Sequence, residues 1–289
     1  MPKMNAIIMA AGTSSRFIPL SYERPKGLLE VRGEVLVERQ IRQLKEAGVV
    51  DITLVTGYKA DMFEYLGKKY GISLVYNSDY ARYNNISSLI RVVDKLADTF
   101  VCCSDHYFRE NVFAEYPVES YYAAKFASGV TEEYCLSVDD NDYIKAISIG
   151  GKDMWYMVGH VFFSSQFSER FRNILIDEYK KEDVRNNYWE DVFIRYLEEL
   201  PMQMKRYPDE DILEFDTLDE LRAFDTSYLN DTHSSILKKI CAERQWKEQE
   251  LSGFQKVVFS EKEMVFLVHH DTDTFQIEWS NGQLKMKKL

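Results

Sequence analysis

The chain of 289 residues has 45% apolar and 14% aromatic side chains, enough for a sizeable core, which excludes an intrinsically disordered protein. Its 36 basic and 47 acidic residues give a net charge of -11, which argues against a surface that tracks a nucleic-acid backbone. No run of about 18 apolar residues occurs, so we expect no membrane insertion. Four cysteines without metal-type spacing indicate a reducing, cytoplasmic location.

Strand and helix patterns alternate over the first 105 residues. Short apolar runs predict strands at 6–10, 52–55, 72–76 and 100–103, with helices at 37–47, 61–70 and 86–96 between them. This alternation is typical of βαβ units and a parallel sheet, in which ligands bind beyond the carboxyl ends of the strands. The loops after Ala10, Gly57, Tyr76 and Cys103 are therefore expected to share one cleft.

The pattern changes after residue 119. Short aromatic or β-branched runs predict antiparallel strands at 121–126, 134–138, 143–149 and 156–163, added to the same sheet. Helices are expected at 168–179, 190–200 and 218–224, with a strand at 204–207. The acid-rich segment 209–225 is interpreted as a solvated face. The predicted fold class is α/β, with a Rossmann-like, mixed but mostly parallel sheet flanked by helices.

A domain boundary is expected near residues 230–232. This divides the chain into a main domain, 1–229, and a small α+β extension, 230–289. The extension begins with an amphipathic helix around 236–241. Three strand-like runs follow, at 254–259, 263–269 and 274–279, and Asn281-Gly282 is a hairpin turn signal.

The loop after the first strand carries the clearest chemical signal. Its small residues, which let backbone N–H groups approach a phosphate, are Ala10, Ala11, Gly12, Thr13, Ser14 and Ser15. Arg16, Arg24 and Lys26 form a local cluster of positive charge, and Pro25 fixes the backbone before Lys26. Neither the Walker A motif nor the GxGxxG motif is present, which disfavours P-loop and dinucleotide-binding interpretations.

This loop resembles the signature of the sugar-nucleotide and MobA-like nucleotidyltransferases, α/β proteins that join an NTP to a phosphorylated acceptor. Ser14 is a departure, because the family usually has a second glycine there. Further motifs narrow the resemblance to LicC-type CTP:phosphocholine cytidylyltransferases over about residues 4–225. They are Gly57-Tyr58, Asn77, Tyr80, Tyr83-Asn84-Asn85, Ser87-Ser88-Leu89, Asp105 and Tyr188-Trp189-Glu190-Asp191.

The resemblance implies transfer of CMP from CTP to a phosphorylated amino-alcohol, chiefly phosphocholine, giving CDP-choline and pyrophosphate with Mg²⁺ as cofactor. Lys26 and Arg16 are the implied catalytic residues. The implied CTP-binding residues are Ala10 to Ser15, Gly57, Tyr58 and Asn84. Asp105 is the first implied Mg²⁺ ligand, and Glu190 or Asp191 is the second. The implied acceptor contacts are Tyr134, Tyr188, Trp189 and Glu133.

Two other functions stay open. One is transfer to 2-aminoethylphosphonate or a sugar phosphate. The other is an inactive nucleotide-sensing module. Ser14 favours it, as does Glu190, where the family more often has Asp, whereas the retained Arg16, Lys26 and Asp105 disfavour it. The extension faintly resembles the start of a choline kinase, but it has no glycine-rich loop or kinase catalytic Asp motif. It is interpreted as a docking, dimerising or remnant module, so a homodimer is an expectation.

Overall fold

The computed structural model describes residues 4–260 and 262–289. The chain forms two compact units. The first unit comprises the residues up to Gly12 together with Leu36–Leu213, and the second comprises Thr13–Val35 and Glu214–Leu289. The predicted boundary between residues 229 and 230 falls inside the second unit, and that domain division stays a prediction.

The described residues form fifteen β-strands and nine α-helices, with short 3₁₀ helices between some of them. The strands are β1 (Asn5–Ala10), β2 (Glu30–Val31), β3 (Glu34–Val35), β4 (Asp51–Thr56), β5 (Ser73–Tyr76), β6 (Thr99–Cys103), β7 (Tyr107–Phe108), β8 (Tyr121–Val138), β9 (Ile144–Phe163), β10 (Gln203–Arg206), β11 (Ile212–Leu213), β12 (Leu251–Phe259), β13 (Glu263–His270), β14 (Asp273–Ser280) and β15 (Gln283–Lys288). The helices are α1 (Leu20–Glu23), α2 (Leu36–Glu46), α3 (Glu64–Tyr70), α4 (Ile86–Ile90), α5 (Ser165–Tyr179), α6 (Trp189–Arg195), α7 (Leu218–Phe224), α8 (Ser227–Asn230) and α9 (Ser235–Arg244).

The first unit is built on a seven-stranded sheet of order β10-β8-β9-β6-β1-β4-β5. β1 pairs in parallel with β4 and β6, and β4 with β5, as the alternating pattern predicts. β9 joins β6 and β8 in antiparallel fashion, while β10 runs parallel to β8. The predicted fold class, a mixed but mostly parallel sheet flanked by helices, is confirmed.

The central strands of this sheet are apolar because both of their faces are covered. Ile7 and Ile8 on β1 and Leu54 and Val55 on β4 have no exposed surface. Ala10 lies opposite Thr56 in the parallel register, so the two neighbouring strands end at the same edge. That edge carries the loops after β1, β4, β5 and β6, which contain the predicted site residues Gly57, Tyr58, Asn84 and Asp105.

Two predicted pairs of strands are each one long strand. The runs 121–126 and 134–138 are both part of β8, and 143–149 and 156–163 both fall within or next to β9. The β8–β9 register shifts at several points, for example between Ala127 and Val130. Such bulges bend a strand without ending it, so the polar residues between the predicted runs do not mark a break.

Two predicted helices are shorter than expected. The segment 86–96 forms α4 and then a separate 3₁₀ turn, Val93–Lys95, because Val92 has a φ of -125° and interrupts the helix. The helix expected over 190–200 ends at Arg195, since Tyr196 has a φ of -117° and ψ of 25°. None of the helices in the described part of the chain is long and apolar enough to span a bilayer.

The second unit contains the four-stranded antiparallel sheet β12-β13-β14-β15. Sequence analysis found its first three strands and missed β15, where Leu284 and Met286 alternate with polar residues. Asn281 and Gly282, with φ values of 50° and 75°, join β14 to β15 as the turn signal predicts.

The extension packs on segments that the sequence places in the main domain. The carboxylate of Glu23 accepts hydrogen bonds from Ser234 and Ser235 at the start of α9. Arg222 on α7 is buried and donates to the backbone oxygens of Glu248 and Leu251. These polar contacts hold the helix and the first strand of the extension within the second unit.

Candidate active site

The predicted site residues are divided between the two units, because the loop after β1 passes from the first to the second between Gly12 and Thr13. In the first unit, Ala11 O accepts a hydrogen bond from Tyr58 N at 3.0 Å. A Cβ at Gly57 would lie 2.7 Å from that oxygen and 2.6 Å from Tyr80 Cβ. Glycine is therefore required at 57, and the structure brings the predicted residues Ala11, Gly57 and Tyr58 together.

Asn84 lies just before α4, half-buried, and its Oδ1 accepts from Asn85 N at 2.8 Å. Its neighbour Asn85 makes the longer-range contacts. Asn85 Oδ1 accepts from Trp189 N at 2.8 Å, and its Nδ2 donates to Glu190 Oε2 at 3.1 Å. Asn85 thus fixes the first turn of α6, a link that sequence analysis missed.

Asp105 follows β6 at the carboxyl edge of the sheet. Ligand atoms of Asp105, Cys103 and His106 lie within 4.8 Å of one another. The amide of Gln40 donates to the backbone oxygens of Cys103 and His106 at 2.9 Å, which fixes the loop around Asp105. Gly159 has a φ of 62°, and a Cβ there would approach His106 to 3.2 Å. A carboxylate is therefore held on a rigid turn.

Glu190 is half-buried at the start of α6. Its Oε1 accepts from Tyr122 Oη at 3.0 Å, and desolvation raises the pKa of its carboxyl to about 7. Asp191 instead caps the helix, because its Oδ2 accepts from Tyr188 N at 2.8 Å. Its Oδ1 accepts from Tyr134 Oη at 3.1 Å. The neighbouring acids therefore have different protein partners.

The residues predicted to contact the acceptor substrate lie in different environments. Tyr188 is 45% exposed and Glu133 is exposed, whereas Trp189 is 2% exposed. The Trp189 ring packs edge-on against Phe163, with centroids 5.4 Å apart. Desolvation, followed by the charge of Asp191, raises the pKa of Tyr134 to about 12. Tyr134 is linked to α6 through Asp191, while Trp189 is part of the hydrophobic core.

In the second unit, the predicted phosphate loop continues through Thr13, Ser14 and Ser15. Ser14 has a φ of 49°, a left-handed conformation that glycine adopts without strain. Its carbonyl accepts a hydrogen bond from Phe17 N at 2.9 Å, which closes the turn that contains Arg16. The serine that departs from the family pattern therefore keeps the backbone geometry for which glycine is suited.

Lys26 and Arg16 share an acidic partner. Lys26 is 4% exposed, and its Nζ lies 3.2 Å from Glu214 Oε1 and 3.5 Å from Asp216 Oδ1. Asp216 Oδ2 lies 3.0 Å from Arg16 Nη1. Burial raises the pKa of Asp216, although the charges of Lys26 and Arg16 act in the opposite direction. The predicted catalytic cations are therefore held by carboxylates of the segment after β11.

Comparison with known proteins identifies the family. A model described as the MobA-like NTP transferase domain matches residues 6–133. The choline-phosphate cytidylyltransferase of Streptococcus pneumoniae is 31% identical over 228 residues, which are 79% of this chain and 100% of that protein. The chain belongs to the LicC-type cytidylyltransferases of the MobA-like NTP transferase family.

Two further matches agree with this assignment. The 2-aminoethylphosphonate cytidylyltransferase of Lancefieldella rimae is 37% identical over 231 residues, 78% of this chain and 94% of that protein. The solved structure of CTP:phosphocholine cytidylyltransferase (LicC) from Streptococcus pneumoniae superposes with a TM-score of 0.75 and 31% identity, covering 78% of this chain and 99% of the other. This LicC-type chain is thus a nucleotidyltransferase.

Sequence analysis missed the two carboxylates next to the predicted catalytic cations of this LicC-type chain. It interpreted 209–225 as a solvated face, yet Glu214 and Asp216 pair with Lys26, and Asp225 is buried. The available signal was the alternation Glu214-Phe215-Asp216, in which the central phenylalanine is 5% exposed.

The first unit of the LicC-type chain has carboxylate oxygens suited to a hard cation. Mg²⁺ needs only one or two carboxylates when substrate phosphates complete its coordination. Asp105 meets this requirement, while the thiol and imidazole beside it are softer donors. Glu190 and Asp191 would have to exchange their contacts with Tyr122 and Tyr134 for metal coordination.

Proposed function

We propose that this nucleotidyltransferase transfers CMP from CTP to a phosphorylated amino-alcohol, chiefly phosphocholine, and releases pyrophosphate. The observation that carries the proposal is the buried Lys26, held by Glu214 and Asp216 close in sequence to the phosphate loop. A buried ammonium is costly unless it is paired, so such a residue is typical of a functional site. The LicC-type relatives support the choice of CTP and of phosphocholine.

The reaction is an in-line displacement at the α-phosphorus of CTP. A phosphate oxygen of the acceptor forms the new P–O bond, and the bond to the pyrophosphate oxygen breaks. Because the acceptor phosphate is already a nucleophile, no general base is needed. The protein has to orient two anions and offset their repulsion.

Each residue of the phosphate loop has a proposed part in that task. Lys26 contacts the α-phosphate and stabilises the charge that develops there, and Arg16 contacts the β- and γ-phosphates. The backbone of Ala10 to Ser15 surrounds the triphosphate. When CTP binds, phosphate oxygens replace Asp216 as the partner of Arg16 and Lys26. The exposure of Arg16 allows this change of partner.

Asn84, Gly57 and Tyr58 are proposed to bind the base and ribose of CTP. The amide of Asn84 can both donate and accept, which suits the edge of a pyrimidine. Because Gly57 has no side chain, Ala11 and Tyr80 can lie close to its backbone. The surface of this loop at Gly57 is therefore formed by main-chain atoms.

Asp105 is proposed as the first Mg²⁺ ligand, with Glu190 or Asp191 as the second. When bound, Mg²⁺ supplies positive charge to the triphosphate. Asp105 offers its oxygen from the fixed turn after β6. Glu190 must lose its proton before it can serve, since its pKa is raised to about 7.

Tyr134, Tyr188 and Glu133 are proposed to contact the cationic head group of the acceptor, and Trp189 supports them from the core. Aromatic faces and carboxylates are what a trimethylammonium group requires, because it cannot donate hydrogen bonds. The pairing of Tyr134 Oη with Asp191 supplies one aromatic face and one negative charge.

2-Aminoethylphosphonate is a second candidate acceptor. Its primary ammonium needs directional acceptors, and Asp191 and Glu190 provide carboxylate oxygens at the start of α6. The relative from Lancefieldella rimae, which is named for this substrate, also favours it.

We also propose that the enzyme is cytoplasmic, that residues 1–229 form the catalytic domain and that 230–289 form a non-catalytic extension. The four cysteines support a reducing compartment. The packing of Arg222 on the backbone of Glu248 and Leu251 supports a docking role for the extension. The expected homodimer can be tested by light scattering of the purified chain.

The test of the proposal is pyrophosphate release measured with four NTPs against phosphocholine, phosphoethanolamine, 2-aminoethylphosphonate and glucose 1-phosphate. We expect release with CTP and phosphocholine, dependent on Mg²⁺. Faster release with 2-aminoethylphosphonate would support the second candidate. Release with another NTP and the sugar phosphate, or no release with any pair, would contradict the proposal.

A further inference from the structure

A lysine of the C-terminal sheet reaches the predicted phosphate loop. Lys256 Nζ, on β12, donates to Ser15 Oγ at 2.9 Å, although the residues are 241 positions apart in the chain. Both residues belong to the second unit. The extension, for which sequence analysis found no activity, thus places a positive charge on the loop beside Arg16.

The shape of β12 directs this side chain. The register between β12 and β13 shifts between Ser252 and Gln255 and again between Lys256 and Val258. Such bulges re-aim the side chains next to them. Three residues further along, Phe259 packs edge-on against Tyr22, with ring centroids 5.9 Å apart. The strand therefore contacts the segment 13–35 at two points, at Ser15 within the turn that contains Arg16 and at Tyr22 beyond it.

The charged groups near Ser15 suggest what the contact between Lys256 and Ser15 does. Arg16 and Lys26 are both paired with Asp216, and Lys26 also with Glu214, so the carboxylates offset these two cations. Lys256 is exposed and has no carboxylate partner among residues 4–260 and 262–289. Its Nζ is held by the neutral hydroxyl of Ser15, so its positive charge adds to those of Arg16 and Lys26 at this loop, where an anion would meet it.

We propose that Lys256 is a further binding residue for the triphosphate of CTP, a role that rests on the nucleotidyl transfer proposed above. An ammonium group held by one hydrogen bond keeps two other donors for phosphate oxygens. Ser15 holds Lys256 in position before the nucleotide arrives. Because Lys256 is not assigned to the α-phosphate, it acts on the affinity for CTP and on the retention of pyrophosphate, and leaves the chemical step to Lys26.

The experiment compares Lys256→Gln with Lys287→Gln, which removes an exposed lysine from β15 at the opposite edge of the same sheet. KM for CTP, KM for the acceptor and kcat are measured, together with the Kd of CTP by calorimetry in the absence of acceptor. Lys256→Gln should raise the KM and Kd for CTP by about tenfold and leave kcat and the acceptor KM within about twofold. Lys256→Arg should restore most of the affinity.

If Lys256→Gln binds CTP with the Kd of the wild type, as Lys287→Gln should, Lys256 has no role in binding. Turnover by the wild-type chain would still support nucleotidyl transfer in that case. Equal loss in both variants would show an effect of net charge and would also overturn it. A wild-type chain that binds no CTP and releases no pyrophosphate would overturn the proposed function itself. Thermal melting of each variant separates loss of affinity from loss of folding.

Discussion

Lys26 Nζ lies 3.2 Å from Glu214 Oε1, and the two residues are 188 positions apart in the chain. Lys26 is 4% exposed, so its ammonium group depends on this carboxylate and on Asp216 for compensation of its lost hydration. The pairing joins the segment after Pro25 to the segment after β11. It gives the side chain with the most important proposed role a fixed position before any substrate is bound.

Replacing Lys26 should affect turnover far more than substrate affinity. Lys26→Met keeps the length of the side chain and removes the charge proposed to stabilise the α-phosphate in the transition state. We expect kcat to fall by about 10²- to 10³-fold, as when one preorganised electrostatic group is lost. Steady-state pyrophosphate release measures it, and Lys287→Met is the matched control. A loss below about fivefold would remove Lys26 from the chemical step.

Glu190 makes folding stability depend on pH in a direction that can be tested. Burial raises its pKa from 4.5 to about 7, so between these pH values the folded chain binds the proton more tightly than the unfolded chain. The contribution of Glu190 to the free energy of unfolding therefore falls as pH rises through that window.

Glu190→Gln should remove this penalty. In urea titrations with EDTA, we expect the variant to be more stable than the wild type at pH 8 by about 1 kcal/mol or more, and the gain to disappear near pH 5. Glu133→Gln, at an exposed position, is the control and should show no such trend. A gain that is the same at both pH values would contradict the raised pKa.

Ser14→Gly should stabilise the chain. The φ of 49° costs a non-glycine residue about 1 kcal/mol, and glycine removes that cost at the expense of backbone entropy in the unfolded state. We expect a net gain of up to about 0.5 kcal/mol in the free energy of unfolding. Ser252→Gly, in β12, lacks a positive φ and should lose stability instead. Equal losses in the two variants would refute the strain at Ser14.

Arg222→Ala should destabilise the second unit. The guanidinium donates to the backbone oxygens of Tyr228, Glu248 and Leu251, and its removal leaves these buried acceptors without a charged donor. We expect a loss of about 3 kcal/mol in the free energy of unfolding, against less than about 0.5 kcal/mol for Arg244→Ala on the exposed side of α9. Similar losses would mean that the contacts of Arg222 contribute little.

The parallel part of the sheet was predictable because each of its strands is a short apolar run between clear helical patterns. Gly48 and Gly71, both with positive φ, end the helices where sequence analysis placed the stops. β8 and β9 were not predictable as single strands, because their continuity depends on bulges in the pairing of two segments. No periodicity within one segment contains that information.

In the candidate site, too, local features were predictable from the sequence, and contacts between distant segments were not. The predicted phosphate loop and Asp105 are local motifs at the ends of buried strands, so the sequence alone was enough to propose them. The partners of these residues were not identified, because Glu214, Asp216 and Lys256 contact the loop across about 190 to 240 positions of chain. Two alternating acids and one lysine among many charged residues carry no periodic signal of their own.

The most direct test of the central claim is mass-spectrometric analysis of the product formed from CTP, phosphocholine and Mg²⁺. The account predicts CDP-choline and one pyrophosphate per turnover with the wild-type chain, and formation of both products about 10²- to 10³-fold slower with Lys26→Met. A folded wild-type chain that forms no cytidylyl conjugate with phosphocholine or with 2-aminoethylphosphonate would contradict it.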